Sequence, residues 1–148
     1  MNVYQPRNSR RQPIKVFISH SNIDSVFARH IRNLLVQRIN AQAFITEDLS
    51  AGEKWQSRLR SELSSADVVI AILTPASVNS SWVLHEIGAA WALEKQIIPV
   101  VTRRDVLNKM PISLDALQVI DLTDVDTPEN QAKFENAFER SLAAVHLR

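Results

Sequence analysis

The sequence predicts an α/β fold, a doubly wound, five-stranded parallel sheet with helices on both faces. Three observations predict it. Short β-prone runs alternate with amphipathic helical segments from residue 14 onwards. The run at 67–73 (DVVIAIL) is apolar on both faces, as a central parallel strand requires. The connections are short, which favours right-handed crossovers and a helical layer on each side of the sheet.

The elements follow in order. Residues 1–13 are polar, carry Pro6 and Pro13 and show no periodicity; they read as a flexible lead-in to one domain over 14–148. Residues 14–18 (IKVFI) form the first strand, ending in Ser19-His20-Ser21. A helix follows, with Ser21 or Asn22 as N-cap and a stripe of Ile23, Val26, Phe27, Ile31, Leu34 and Leu35. Residues 41–45 (AQAFI) are a weaker strand, and 46–54 (TEDLSAGEK) a polar loop. A second helix runs from about 53 to 64, with Trp55, Leu59 and Leu63 spaced four apart. After the central strand, Thr74-Pro75 leads to a third helix over 81–95, with a buried stripe of Val83, Leu84, Ile87 and Trp91. Residues 97–102 (IIPVVT) form a fourth strand, and Pro99 marks it as irregular or near an edge. An irregular stretch, 103–116, precedes a fifth strand at 117–121. The last helix starts at Thr127-Pro128, a good N-cap and first-turn pair, and buries Phe134, Phe138, Leu142 and Val145. Five strands in this pattern give a flavodoxin-like sheet, whose ligands bind beyond the carboxyl ends of the strands.

Composition narrows the chemistry. The 148 residues suffice for one domain. Seventeen basic against sixteen acidic residues leave a net charge of +1, which argues against direct nucleic-acid binding. With no cysteine there is no disulfide, thiolate metal site or thiol nucleophile, and a cytoplasmic location fits best. No run reaches the roughly 20 apolar residues of a membrane-spanning helix, and no signal peptide follows the basic N-terminus. Two glycines, Gly52 and Gly88, rule out Gly-rich phosphate loops. The third strand ends in Leu73-Thr74-Pro75, where a phosphoacceptor domain needs an aspartate. No G-x-S-x-G elbow exists, and the four histidines lack metal-ligand spacing, so no metal is expected.

Glu86 is the anomaly. On the third helix it lies beside the buried stripe, and its neighbours at three and four residues are Trp82, Val83, Ala89 and Ala90, so no local cation supports it. Such a carboxylate either points to water or is held at a site, where desolvation raises its pKa. Without metal or thiol, a carboxylate suits chemistry at a sugar carbon, through an oxocarbenium-like transition state. Trp55 and Trp82 offer flat faces for a ring, although buried tryptophan is more often simply core.

Four pieces in this order resemble the Toll/interleukin-1 receptor (TIR) family, bacterial type. They are Val16-Phe17-Ile18-Ser19-His20-Ser21, the D-x-x-x-G-x-x-W loop from Asp48 to Trp55, Ala66-Asp67-Val68-Val69-Ile70, and Ser80-Ser81-Trp82-Val83-Leu84-His85-Glu86. The last is similar to the family's S-x-W-x-x-x-E motif. The resemblance implies the sheet described above and assigns Glu86 the catalytic role in cleaving the nicotinamide–ribose bond of NAD+. NAD+ is then substrate, and no cofactor is implied. The products implied are nicotinamide and ADP-ribose or a cyclic isomer. Ser19, His20 and Ser21 are placed at the pocket edge, Trp82 as a pocket wall or helix anchor, and Ser81 and Ser77 as ribose or diphosphate contacts or helix caps. The loop with Glu47, Asp48, Gly52, Lys54 and Trp55 corresponds to the family's self-association loop. Activity rising faster than linearly with concentration, a sensor or effector partner protein, and a part either in anti-phage defence or as an effector acting on host signalling are also implied. The competing readings are a non-enzymatic adaptor acting through TIR–TIR contact, which commonly lacks the glutamate, and a deoxyribosyl transferase, which would ignore NAD+.

Overall fold

A computed structural model describes residues 13–46, 54–110 and 118–146, the side chains of 144–146 excepted. Five parallel strands form one sheet: β1 (Lys15–Ser19), β2 (Gln42–Phe44), β3 (Val68–Leu73), β4 (Gln96–Val101) and β5 (Ile120–Asp121). Their order across the sheet is β2-β1-β3-β4-β5, the doubly wound order that places a switch point beside β1 and β3. The helices are α1 (Ser25–Arg38), α2 (Trp55–Ser65), α3 (Ser81–Ala92) and α4 (Pro128–His146).

Strand periodicity divides the core into two layers. Val16 and Ile18 of β1, with Val68, Ile70 and Ile72 of β3, pack with the inner faces of α1 and α4. Phe17 of β1, with Val69, Ala71 and Leu73 of β3, faces the other way, toward Leu63 of α2 and Val83, Ile87 and Ala90 of α3. Every residue of β3 is buried, as its two-sided apolar run requires. Pro99 pairs with Ala71 in a strand that runs regularly beside β3 for six residues. On the other side, pairing with β5 begins only at Val100, after the missing donor.

Three helical expectations are corrected. α1 is preceded by a 3-10 turn, Asn22–Asp24, so Ile23 stands out of the predicted stripe and is 82% exposed. Val26 is also exposed, and the buried face is Ala28, Ile31, Leu34 and Leu35. On α3, each four-residue step overshoots a full turn by about 40°, so the row Val83–Ile87–Trp91 drifts off the sheet. Trp91 is 62% exposed, and Ala90 takes the inward place. The α4 start matches its sequence signal: Thr127 Oγ1 accepts the Asn130 N–H at 3.1 Å.

The α3 helix ends three residues earlier than its pattern suggests. Glu94 is left-handed (φ 57°), its N–H reaching Trp91 O and the Lys95 N–H reaching Ala90 O, both at 3.0 Å. This is a Schellman cap, built with glutamate where glycine is usual. Glu94→Gly is expected to raise stability by about 1 kcal/mol, since the left-handed penalty on a β-carbon disappears. Urea denaturation of the two proteins measures it.

Candidate active site

The site lies at the carboxyl end of β1 and is assembled by strand alternation. Ser19 shares the face of Phe17, two residues back, and so points at α3. There its hydroxyl donates a 2.6 Å hydrogen bond to Glu86 Oε1. Glu86 is not beside the buried face of α3, as its pattern suggests, but within it: Val83, Glu86, Ile87 and Ala90 are its buried residues. The Ser80 hydroxyl caps the helix by accepting the Val83 N–H at 3.3 Å, fixing its first turn.

Glu86 is 5% exposed. Burial desolvates its carboxylate and pushes the pKa from 4.5 up to about 7; the Ser19 hydrogen bond pulls the other way and only partly offsets this. Its second oxygen, Oε2, is buried without a partner among the described residues.

The carboxylate lines a cavity of about 310 Å³ whose other walls are Phe17, Trp55, Gln56, Leu59, Arg60, Leu63, Trp82, His85 and Ala89. Trp55 and Trp82 meet with ring centroids 5.6 Å apart, inclined at 45°. Both also line a second cavity, of about 490 Å³, with His20, Ser21, Asn22, Thr46 and Ser80. The tryptophan pair is therefore a wall common to both spaces.

The sequence-derived candidates fall into groups. Ser19, His20, Ser21, Trp55, Trp82 and Glu86 come together at the two cavities. Ser81 is exposed and lines neither, the neighbouring Ser80 lining the second instead. Ser77 is fully buried, and its hydroxyl closes a turn by accepting the Thr74 N–H at 2.7 Å. Lys54 is exposed just before α2. Glu47, Asp48 and Gly52 lie outside the described residues.

Sequence reasoning missed Asp24. Its carboxylate accepts from Ser21 Oγ at 2.8 Å and Thr74 Oγ1 at 2.7 Å, tying the loop after β1 to the loop after β3. The only signal was an acidic residue near a helix start, which reads equally well as a dipole partner. Arg60 was also missed, because only the fold brings it to the cavity; Asn22 and Thr46, in loops at the carboxyl ends of β1 and β2 where ligands were expected, line the second cavity. Among the described residues no cluster could hold a metal ion, and no helix is long and apolar enough to cross a membrane.

Residues 16–139 match the model of the TIR domain family, and the chain belongs to that family. Solved structures similar to it include the TIR domain of the Toll-related receptor TRR-2 from Hydra magnipapillata, with TM-score 0.66 and 17% identity over 86% of this chain and 98% of that one. The TIR domains of the activated Roq1 resistosome give 0.56 and 17%, over 85% and 81%. The CMP N-glycosidase BcmB of Clostridium botulinum gives 0.52 and 15%, over 82% and 98%. At such identities the likeness concerns the fold. No match was found among curated proteins. The Roq1 structure is of TIR domains within an activated resistosome.

Proposed function

We propose that this TIR domain is an NAD+ glycohydrolase with Glu86 as its catalytic residue. The observation that carries the proposal is Glu86 itself, a buried carboxylate held by Ser19, one oxygen without a partner among the described residues, in a cavity walled in part by aromatic rings. A carboxylate is costly in such a place unless it is used. The fold is shared with an N-glycosidase that acts on CMP, and the bond proposed here is likewise N-glycosidic.

In this reading the nicotinamide enters against the tryptophan wall and its ribose faces Glu86. The C1′–N bond breaks, and its electron pair leaves with the nicotinamide nitrogen, neutralising the pyridinium. Positive charge grows on C1′ and the ring oxygen, where an anionic Glu86 stabilises it in a low-dielectric cavity. Water then adds to C1′ and gives up a proton, for which the carboxylate is the acceptor at hand; the product is ADP-ribose. If an adenine nitrogen adds instead, the product is a cyclic isomer. Self-association through the loop ahead of α2 and a role in immune signalling, anti-phage defence included, belong to the same proposal.

The test is NAD+ consumption by the purified chain at several concentrations, with chromatographic separation of nicotinamide, ADP-ribose and cyclic products. Intact NAD+ at every concentration, with folded protein, overturns the reading in favour of an adaptor.

The ionisation of Glu86 adds a pH signature. The carboxylate must be charged to act, so kcat/KM is expected to rise with pH as a single ionisation with midpoint about 7. His85 and Arg60 line the same cavity, and the arginine stays charged throughout. Bound NAD+ brings a positive pyridinium, which favours the anion, so the limb in kcat lies at lower pH than that in kcat/KM. Ser19→Ala removes the hydrogen bond that favours the charged form and moves the kcat/KM limb upward. Initial rates across pH for both proteins check this.

A further inference from the structure

Beyond the tryptophan pair lies a second buried acceptor that bond cleavage does not use. His20 is 5% exposed, and its Nδ1 lies 2.8 Å from the carbonyl oxygen of Ser21. A carbonyl only accepts, so Nδ1 carries the hydrogen, and in the neutral ring Nε2 is a bare lone pair. Nε2 is buried without a partner among the described residues, in a side chain that lines the second cavity. What satisfies it must donate, as a hydroxyl does and an ionised phosphate does not. No lysine or arginine stands among the described residues lining this cavity, so none of these residues offers a diphosphate a counter-charge. The hydrogen of Ser21 is already given to Asp24.

The geometry points to His20 as a specificity-determining residue, whose Nε2 accepts a hydrogen bond from a hydroxyl of the adenosyl ribose of NAD+. This rests on the NAD+ reading of the Glu86 cavity. A dinucleotide has two ribosyl units, and the unit that reacts belongs to Glu86. Trp55 and Trp82 line both cavities, so one ligand lying along them reaches both. Each buried acceptor then receives a ribosyl hydroxyl, and a ligand lacking the distal one leaves His20 desolvated and unpaired.

The experiment compares NAD+ with its 2′-deoxyadenosyl and 3′-deoxyadenosyl analogues on the wild type, on His20→Asn and on His20→Gln. Asparagine can keep the donor to Ser21 O but cannot reach the Nε2 position; glutamine can place its amide oxygen near it. The wild type is expected to prefer NAD+ over one of the analogues by about 10–100-fold in kcat/KM, and His20→Asn to reduce that ratio to about twofold or less, with partial recovery in His20→Gln. Equal use of all three substrates by the wild type overturns the inference, without any variant having to fold. So does a preference that survives in His20→Asn. If the wild type cleaves no NAD+, the reading of the Glu86 cavity fails, and His20 is judged by calorimetric binding of ADP-ribose against the same deoxy analogues. Discrimination there upholds the hydroxyl contact; equal affinities overturn it.

Discussion

Glu86→Gln is expected to lower the rate of NAD+ cleavage by about 10³-fold while leaving the fold intact. Glutamine has the shape of glutamate, and its carbonyl oxygen can still accept the Ser19 hydroxyl, which sits 2.6 Å from Oε1 in the wild type. Only the charge is lost. In bulk water a single charge facing an oxocarbenium-like carbon contributes little. At a carboxylate only 5% exposed it contributes about 4 kcal/mol, because little solvent competes for it. The loss should fall mainly on kcat, since the substrate's remote contacts are unchanged and the carboxylate interacts most strongly as charge develops. Steady-state kinetics by separation of NAD+ and nicotinamide, with circular dichroism to confirm the fold, measures it. A rate within about tenfold of wild type would remove Glu86 from the chemistry.

The same substitution is expected to stabilise the protein in a pH-dependent way. Moving a carboxyl from 4.5 in the unfolded chain to about 7 in the folded one corresponds to about 3 kcal/mol. The sign follows from proton counting. Between these values the folded state holds the proton and the unfolded state has lost it, so wild-type stability falls as pH rises through this window. Glutamine does not titrate. The stability of Glu86→Gln relative to wild type should therefore increase by about 2–3 kcal/mol between pH 5 and pH 8. Any cost of the new amide N–H₂ group is present at both pH values and cancels in the difference. Denaturant titrations of both proteins at the two pH values test this. A pH-independent difference would mean that the carboxyl is hydrated. Together the two results would show a site that trades stability for activity at one residue.

Much of this was legible in the sequence, for identifiable reasons. The all-apolar run at 68–73 could only be a central strand, and it is buried throughout. Thr127-Pro128 marked the start of α4 because the signal there is local and chemical. Glu86 stood out because no cation lies within a helical turn of it. What stayed hidden depends on rotation and distance. A helical pattern does not fix the angle at which a helix meets a sheet to better than a residue. Hence Trp91 was placed inward and is exposed, while Glu86 was placed beside the stripe and lies within it. The Ser21–Asp24–Thr74 network joins residues 50 apart in the chain, and no spacing rule reaches that far. The second cavity is likewise built from four separate segments that only the fold assembles.

The two border strands of the sheet are very short: β2 has three residues and β5 two. They offer little backbone for another chain to pair with, which guards the sheet against growing by strand addition. If copies of the chain associate as proposed above, their recognition falls to side chains on helices and loops, where sequence sets the specificity and binding can be reversed. A main-chain ladder would give neither.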